Sequence, residues 1–387
     1  MDLKRFEDWE RAAKEMGSQA AIAQLVTQLR ADGKDRSAFE ATLMGERLKL
    51  GLPALLVKGV SQIPADKRAD YEEAVFNVCR SFGEDLIAKN RLVEAFSFLD
   101  MIGETNSLHA ALDRFDPKAS TENIDAIIEI ALGGVHPRKG IELIRERFGM
   151  CQAISAGEQV LGQETREVVR QECAKILVRG LHSELIARLR DEISEREPTA
   201  TLAFSVTLLL RERGWLFEND NYHIDTSHLN AVVRMSRILP KCEELYLALQ
   251  LCEYGSKLSE RYRYADPPPF ENVFEDTSIY LRTIAKLETE KGLSFFREKA
   301  EKSDPKTGDL LPAQVYISLL AKLDRTKEAL EAAERWLNDP NGPNDAALVN
   351  EICHAAGRFD ELARLAKLRG DAVSYMAGLA QQNLRNP

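Results

Sequence analysis

The fold of this chain is decided by residues 311–370, which read LPAQVYISLLAKLDRTKEALEAAERWLNDPNGPNDAALVNEICHAAGRFDELARLAKLRG. A turn at Asp324–Arg325 recurs 33 positions later at Gly357–Arg358, and each turn is followed three positions on by a glutamate. A repeat of this length is typical of helical hairpins that stack on one another. Because one hairpin cannot bury its apolar face alone, each predicts a packed neighbour.

The segments around these turns have helical periodicity. Apolar residues before the first turn recur at helical spacing and are Leu311, Val315, Leu319 and Leu323. Those after it are Leu330, Ala333 and Leu337. Asp324 and Gly357 belong to residue types that enter the left-handed conformation at the end of a helix at low cost. The sequence therefore predicts two consecutive antiparallel helical hairpins.

A third turn of this kind lies at Asn90–Arg91, between an apolar segment that ends at Ile87 and another that runs through Leu99. The residues here resemble the tetratricopeptide repeat (TPR) family, whose small, turn, small and large positions are matched by Gly83, Asn90, Ala95 and Leu99. In the Leu311 hairpin the similarity is looser, since Ile317 replaces the small residue and Pro340 lies one place early. The resemblance implies helical packing and partner binding, and it carries over no catalytic residue.

Composition favours an all-α fold, an α-solenoid of antiparallel helical hairpins. The 387 residues include only 14 prolines and 22 glycines, and alternating β-branched runs are missing. Three regions are predicted: helical-hairpin repeats over 1–150, an irregular helical region with two long loops over 151–275, and TPR-like repeats over 276–387. Within them we expect a helix over 164–195 with a break at Gly180, and helices over 199–211 and 279–287.

The charge balance opposes nucleic-acid binding. With 52 basic and 62 acidic residues, the net charge of −10 repels a phosphate backbone. Six scattered cysteines without a CxxC pair indicate free core thiols in a reducing compartment. The charged segment 1–14 lacks the apolar core of a secretory signal, and the longest apolar run, 202–210, is too short to span a bilayer. We therefore expect a cytoplasmic protein without membrane insertion.

Two irregular segments are the candidate sites. The first, Gly214–Ser227, is followed by His228, and the second, Tyr264–Asp276, contains three consecutive prolines that predict an extended polyproline stretch. Neither segment contains Lys or Arg, whereas together they hold seven carboxylates. A basic or mixed peptide is therefore the expected partner, and the expected contact residues are Trp215, Glu218, Asp220, Tyr222, Tyr264, Phe270, Glu271 and Glu275. Structural bracing of the chain by both segments is the alternative interpretation.

No nucleotide-binding, hydrolase, zinc or calcium motif occurs, so no catalytic residue and no cofactor is predicted. The main hypothesis is a non-catalytic protein–protein interaction scaffold or adaptor. An enzyme or ligand-binding protein is the alternative, with a metal held by His223, Asp225 and His228 near residues 214–228. A structural subunit of a larger assembly is the third hypothesis.

Overall fold

The computed structural model describes residues 3–57, 59–303, 309–337 and 346–385. Its regular elements are helices, and no β-strand occurs in these ranges, which confirms the all-helical prediction. No helix in these ranges combines the length and the apolar character that crossing a membrane requires. The chain divides into two compact units, Met1–Arg147 and Phe148–Pro387.

The first unit is built from helices, and from the first to the sixth each packs against the next one in the chain. They are α1 (Leu3–Met16), α2 (Ser18–Ala31), α3 (Asp35–Lys49), α4 (Arg68–Ala88), α5 (Leu92–Leu99), α6 (Asn106–Asp113), α7 (Ile124–Ile130) and α8 (Pro137–Phe148). Three aromatic rings from α3, α4 and α5 meet in its core: Phe39 lies 5.6 Å from Phe82 and 5.0 Å from Phe98 between ring centroids. Aromatic pairs at this spacing stabilise a core beyond the area that they bury.

The second unit contains the longest helix and the quoted hairpins. Its helices are α9 (Met150–Gln163), α10 (Glu167–Arg196), α11 (Val206–Leu210), α12 (Thr226–Met235), α13 (Glu243–Ser256), α14 (Val273–Ile284), α15 (Thr289–Ala300), α16 (Leu311–Lys322), α17 (Thr326–Trp336), α18 (Ala346–Ala355), α19 (Phe359–Arg369) and α20 (Ala372–Arg385). Helix α10 packs against α9, α12 and α13, whereas from α13 to α20 each helix packs against the next one in the chain.

The three predicted turns have left-handed backbone conformations. Asn90, Asp324 and Gly357 have φ angles of 56°, 62° and 65°, so all three adopt the left-handed conformation. Each turn separates two helices that pack together: α4 from α5, α16 from α17, and α18 from α19. The residue types therefore identified these turns correctly, because few residues other than glycine, asparagine and aspartate adopt this conformation without strain.

Three predicted helix boundaries are wrong. Helix α10 runs through Gly180 without a break, because this glycine is buried among apolar neighbours such as Leu177 and Leu181. Their burial outweighs the cost of about 1 kcal/mol of a glycine inside a helix. The helix expected over 199–211 is reduced to α11, since Arg190 binds the carbonyl oxygens of Leu202 and Ala203 at 2.9 and 3.0 Å.

The third wrong boundary is the start of α14, which begins at Val273 instead of residue 279. The carboxylate of Asp276 accepts the backbone N–H of Asn272 at 2.9 Å and so stabilises the first turn of this helix. Of the six cysteines, Cys79, Cys173, Cys252 and Cys353 are buried as expected, whereas Cys151 is exposed and Cys242 is half-buried.

Candidate functional site

The segment 214–227 is fixed to the second unit along most of its length. Residues Gly214–Asp220 form a short 3₁₀ turn that is interrupted at Glu218 and Asn219, and Leu216 is fully buried. The indole N–H of Trp215 donates to Glu197 at 3.3 Å. The guanidinium of Arg196 lies 4.3 Å from the centre of the same ring. Trp215 thus anchors the segment to the end of α10.

A buried polar network holds the second half of this segment. His223 has only 1% of its side chain exposed, and its backbone N–H donates to the hydroxyl of Tyr254 at 2.8 Å. The same hydroxyl lies 3.0 Å from His223 Nδ1, and the carboxylate of Glu192 lies 3.1 Å from Nε2. The Tyr254 hydroxyl accepts the backbone N–H of His223 and also contacts its Nδ1, so it joins both the backbone and the ring of His223 to α13.

Burial determines the ionisation of these groups. It lowers the pKa of His223 from 6.5, although the charge of Glu192 acts in the opposite direction. Burial also raises the pKa of Tyr254. The hydroxyl of Tyr254 is not exposed at the surface, because its side chain is fully buried. The network therefore positions the segment.

The structure does not assemble the hypothetical metal ligands. The ring nitrogens of His223 face Tyr254 and Glu192, while Asp225 caps α12 by accepting the backbone N–H groups of Ser227 and His228 at 2.8 and 3.2 Å. Among the described residues, no group of three or more His, Cys, Asp or Glu side chains is arranged to hold a metal ion. His223, Asp225 and His228 are therefore not arranged as the hypothesised metal site, and Asp225 serves as the N-cap of α12.

The segment 264–276 is braced by long basic side chains from outside it. Arg237 binds Asp266 at 2.9 Å and its guanidinium lies 3.8 Å from the centre of the Phe270 ring. Lys299 donates to the carbonyl of Pro269 and to Glu271, both at 2.6 Å. The predicted extended polyproline stretch is wrong, since residues 267–269 form a turn in which Phe270 N–H donates to the Pro267 carbonyl at 3.1 Å.

Two expectations for the partner-binding residues need correction. Phe270 is only 6% exposed and packs against Tyr280 and Phe296, so it belongs to the core of the unit. The seven carboxylates are largely compensated by cations outside the two segments. The pairs are Asp220–Arg261, Asp266–Arg237, Glu271–Lys299, Glu275–Arg263 and Asp276–Lys299. Asp225 serves as a helix cap, and Glu218 is exposed without a cation partner among the described residues.

The first segment contacts Arg261 and Tyr262, which lie just before the second segment in the chain. The rings of Tyr222 and Tyr262 are in edge-to-face contact with centroids 5.1 Å apart, and Arg261 bridges Tyr262 and Asp220 at 2.6 and 3.2 Å. Tyr222 remains 49% exposed and Tyr264 remains 52% exposed. We call the two contacting rings, together with Tyr264 two positions beyond Tyr262 in the chain, the tyrosine cluster (Tyr222, Tyr262 and Tyr264). Its solvent-exposed aromatic rings belong to segments that are held in place by hydrogen bonds and ion pairs with the rest of the unit.

Sequence reasoning missed the residues that brace this surface. Glu192 and Arg237 each lie 29 positions from their partners Asn221 and Asp266. Lys299 lies 23 positions from Asp276, so no local pattern relates these pairs. Arg263 lies seven positions beyond the end of α13 and donates to the carbonyl oxygens of Ser256 and Leu258. A cation is favoured at this end of a helix.

The first unit has a separate cleft between α3 and α5, with a volume of about 430 Å³. Phe39, Phe98 and Met101 supply its apolar surface, and Glu40 and Glu94 are among its polar residues. Met101 is 61% exposed, whereas the two phenylalanines are buried in the core. The cleft offers apolar contact next to carboxylates.

Comparison of the chain with protein-family models, with curated proteins and with solved structures finds no match in any of the three.

Proposed function

We propose that this protein is a non-catalytic interaction scaffold, an α-solenoid of TPR-like hairpins that binds a protein or peptide through the tyrosine cluster of its second unit. The hairpin architecture is supported by the three left-handed turns and by the contact between neighbouring helices along the chain. The TPR-like assignment is supported by the close packing of Leu99 on Gly83, the large and small positions of the motif. Solenoids of this type present extended surfaces to their partners.

The observation that carries the proposal is the exposure of Tyr222 and Tyr264 on segments that are otherwise firmly held. Tyrosine supplies a large contact area and a hydrogen-bonding hydroxyl while losing little conformational entropy on binding. Asp225, Trp215 and His223 hold the first segment, and Arg237 and Lys299 hold the second. A pre-organised aromatic surface of this kind favours binding because few groups must become ordered.

The partner's chemistry follows from the charges that remain near the cluster. Arg261 and Asp220 pair with each other, and Glu218 is exposed beside them, so the surface offers both signs with a slight acidic excess. A mixed peptide with apolar or aromatic residues and one or two cations is the best complement. Because most carboxylates are already paired, we expect aromatic contact to dominate affinity and charge to affect mainly the association rate.

The proposal is tested by capture experiments with Tyr222→Ser/Tyr264→Ser and with Tyr246→Ser as the matched control. Tyr246 is also an exposed tyrosine, at 39%, but it lies on α13 away from the segments 214–227 and 264–276 in sequence. Immobilised wild type and both variants are incubated with lysate of the source organism, and bound proteins are quantified by mass spectrometry. We expect one or more proteins to be retained by wild type and the control and lost from the double variant.

The partner identified in this way is then bound as a purified protein in the presence of low and high salt. Glu218→Gln should slow its association at low salt, with little effect on the dissociation rate. Equal binding of the partner to wild type and to the double tyrosine variant would contradict the proposed surface.

A further inference from the structure

Helix α20 packs one face against its neighbour and leaves an opposite, apolar face uncovered by the described part of the chain. Its inner face, which includes Ser374 and Gly378, is buried against α19. Its outer face leaves large apolar side chains in solvent: Val373 is 81% exposed, Met376 59% and Leu384 74%. At 100° per residue these side chains share one side of the helix with the exposed Ala377 and Ala380.

The packing of α20 on α19 fixes which face points outward. A β-carbon added at Gly378 would lie 2.9 Å from the backbone nitrogen of Ala363 and 3.0 Å from the carbonyl oxygen of Phe359, so the two helices touch backbone to backbone. Ser374 accepts a hydrogen bond from the side chain of Asn350 at 2.9 Å, and Gln382 donates to the Phe359 carbonyl at 2.9 Å. The helix therefore cannot rotate to bury its outer apolar face without losing these contacts.

The outer face also lacks charge. From Ala372 to Leu384 the helix contains no Asp, Glu, Lys or Arg, although 29% of the whole chain is charged. Surface helices of soluble proteins carry charged or polar residues on the side opposite the core, and exposed apolar patches mark contact sites. An uncharged apolar face on a protein of net charge −10 avoids the repulsion that would otherwise oppose self-association.

We propose that the outer face of α20 is an isologous interface at which two copies of this chain pair through antiparallel α20 helices. Four positions of this face form two pairs about the midpoint between Ala377 and Ala380: the small Ala377 with Ala380, and the larger Val373 with Leu384. Met376 of one copy lies opposite Gln381 of the other in such a pairing. In a two-fold dimer Val373 of one copy packs on Leu384 of the other, and Ala377 packs on Ala380, which lets the helix backbones approach closely.

The size of the interface limits its strength. Standard interfaces bury roughly 800 Å² on each partner, and one face of a 14-residue helix supplies less. We therefore expect a reversible dimer whose population depends on protein concentration. This inference is independent of the proposed partner surface, which lies on residues 214–227 and 260–264 of the same unit.

The first test is sedimentation equilibrium of the full chain at concentrations from about 1 to 100 µM. Wild type should change from monomer to dimer in this range. Ala380→Glu places two carboxylates near the two-fold axis and should raise the dimer dissociation constant at least tenfold, whereas Ala13→Glu, the same change at an exposed position of α1, should leave it unchanged. Circular dichroism checks that both variants retain their helix content, since glutamate is a good helix former.

The second test distinguishes the antiparallel pairing from other contacts. In a Cys151→Ser background, which removes the exposed native thiol, Ala377→Cys is mixed with Ala380→Cys under mild oxidation. The mixture should form disulfide-linked heterodimers faster than either variant forms homodimers. Leu384→Gln, at a 74% exposed position, is a second variant that weakens the dimer without disturbing the core. A monomer at all concentrations, a dimer insensitive to both Ala380→Glu and Leu384→Gln, or no preference for the mixed disulfide would overturn the proposal.

Discussion

Leu99 packs directly against Gly83, and a β-carbon added to this glycine would lie 2.5 Å from both Cγ and Cδ2 of the leucine. The contact joins α5 to α4 in the core of the first unit, where Leu99 is 1% exposed. Because the leucine is surrounded, it has little freedom to move away from a new methyl group. The two residues thus set the distance between the helices of the Asn90 hairpin.

The first prediction concerns this contact. Gly83→Ala should lower the free energy of unfolding by about 1–3 kcal/mol, because overpacking outweighs the better helix propensity of alanine. Gly162→Ala is the matched control: its β-carbon would have no neighbour within 4 Å, so the protein should gain about 0.5–1 kcal/mol. Urea denaturation measures both variants. A stabilised Gly83→Ala protein would show that the helices are further apart than described.

The second prediction concerns the turn at Asn90, whose φ angle is 56°. Asn90→Gly should change stability little, whereas Asn90→Val should reduce it by about 1 kcal/mol or more, since a β-branched residue resists the left-handed conformation. Asp324 has a φ angle of 62°, so Asp324→Gly should likewise be more stable than Asp324→Val. Equal midpoints for the glycine and valine variants in urea would contradict the turn geometry.

The third prediction concerns the support of the tyrosine cluster. Tyr254→Phe removes the hydroxyl that accepts the backbone N–H of His223 at 2.8 Å and contacts its Nδ1 at 3.0 Å. Leaving these buried groups without a partner should cost about 1–3 kcal/mol. Trp215, in the same segment, reports local loosening by fluorescence once Trp9 and Trp336 are replaced by phenylalanine. Unchanged stability and unchanged Trp215 emission would show that the hydrogen bonds contribute nothing to holding the segment.

The fourth prediction concerns the buried ion pair of Lys299 and Asp276, 2.9 Å apart, with 15% and 4% of their side chains exposed. Lys299→Met should destabilise the protein by about 3 kcal/mol, because it leaves the buried carboxylate without its cation. Lys327→Met is the control, since Lys327 is 85% exposed and its pair with Glu331 should contribute less than about 1 kcal/mol. Adding Asp276→Asn to Lys299→Met should restore part of the loss, and a further loss in the double variant would argue against this account.

The fifth prediction concerns pH. Burial, followed by the nearby His109 and Arg138, lowers the pKa of His136 from 6.5 to about 4, and its Nδ1 faces the backbone N–H of Lys139 at 3.4 Å. As the pH falls, His136 therefore becomes protonated near pH 6.5 in the unfolded chain but only near pH 4 in the folded chain. The stability from this residue is complete above pH 6.5 and falls with pH below it, by about 1 kcal/mol per pH unit.

Urea denaturation at several values between pH 7.5 and 5.5 measures this slope. The slope should be smaller in His136→Gln, in which no proton can be taken up at this position on unfolding. An identical pH dependence in wild type and variant would show that His136 does not contribute to the linkage.

The sequence by itself determined the helical class and the hairpin turns of this protein. Asn90, Asp324 and Gly357 were identifiable because the left-handed conformation is a property of single residues, and the helices around them because apolar spacing is a property of short segments. The cap at Asp225 is likewise local, since it involves atoms only two or three positions apart.

Tertiary structure decided what the two irregular segments are. Residues from distant positions in the chain bury Phe270 and pair with the carboxylates of Glu271 and Asp276. Burial also decides that Gly180 does not break α10. Lys299 reaches back 23 positions to Asp276, and burial around Gly180 overrides its low helix propensity. Backbone conformation is set largely by local sterics, and short sequence patterns therefore predict it. Burial and charge compensation are set by packing between helices, which depends on residues far apart in the sequence.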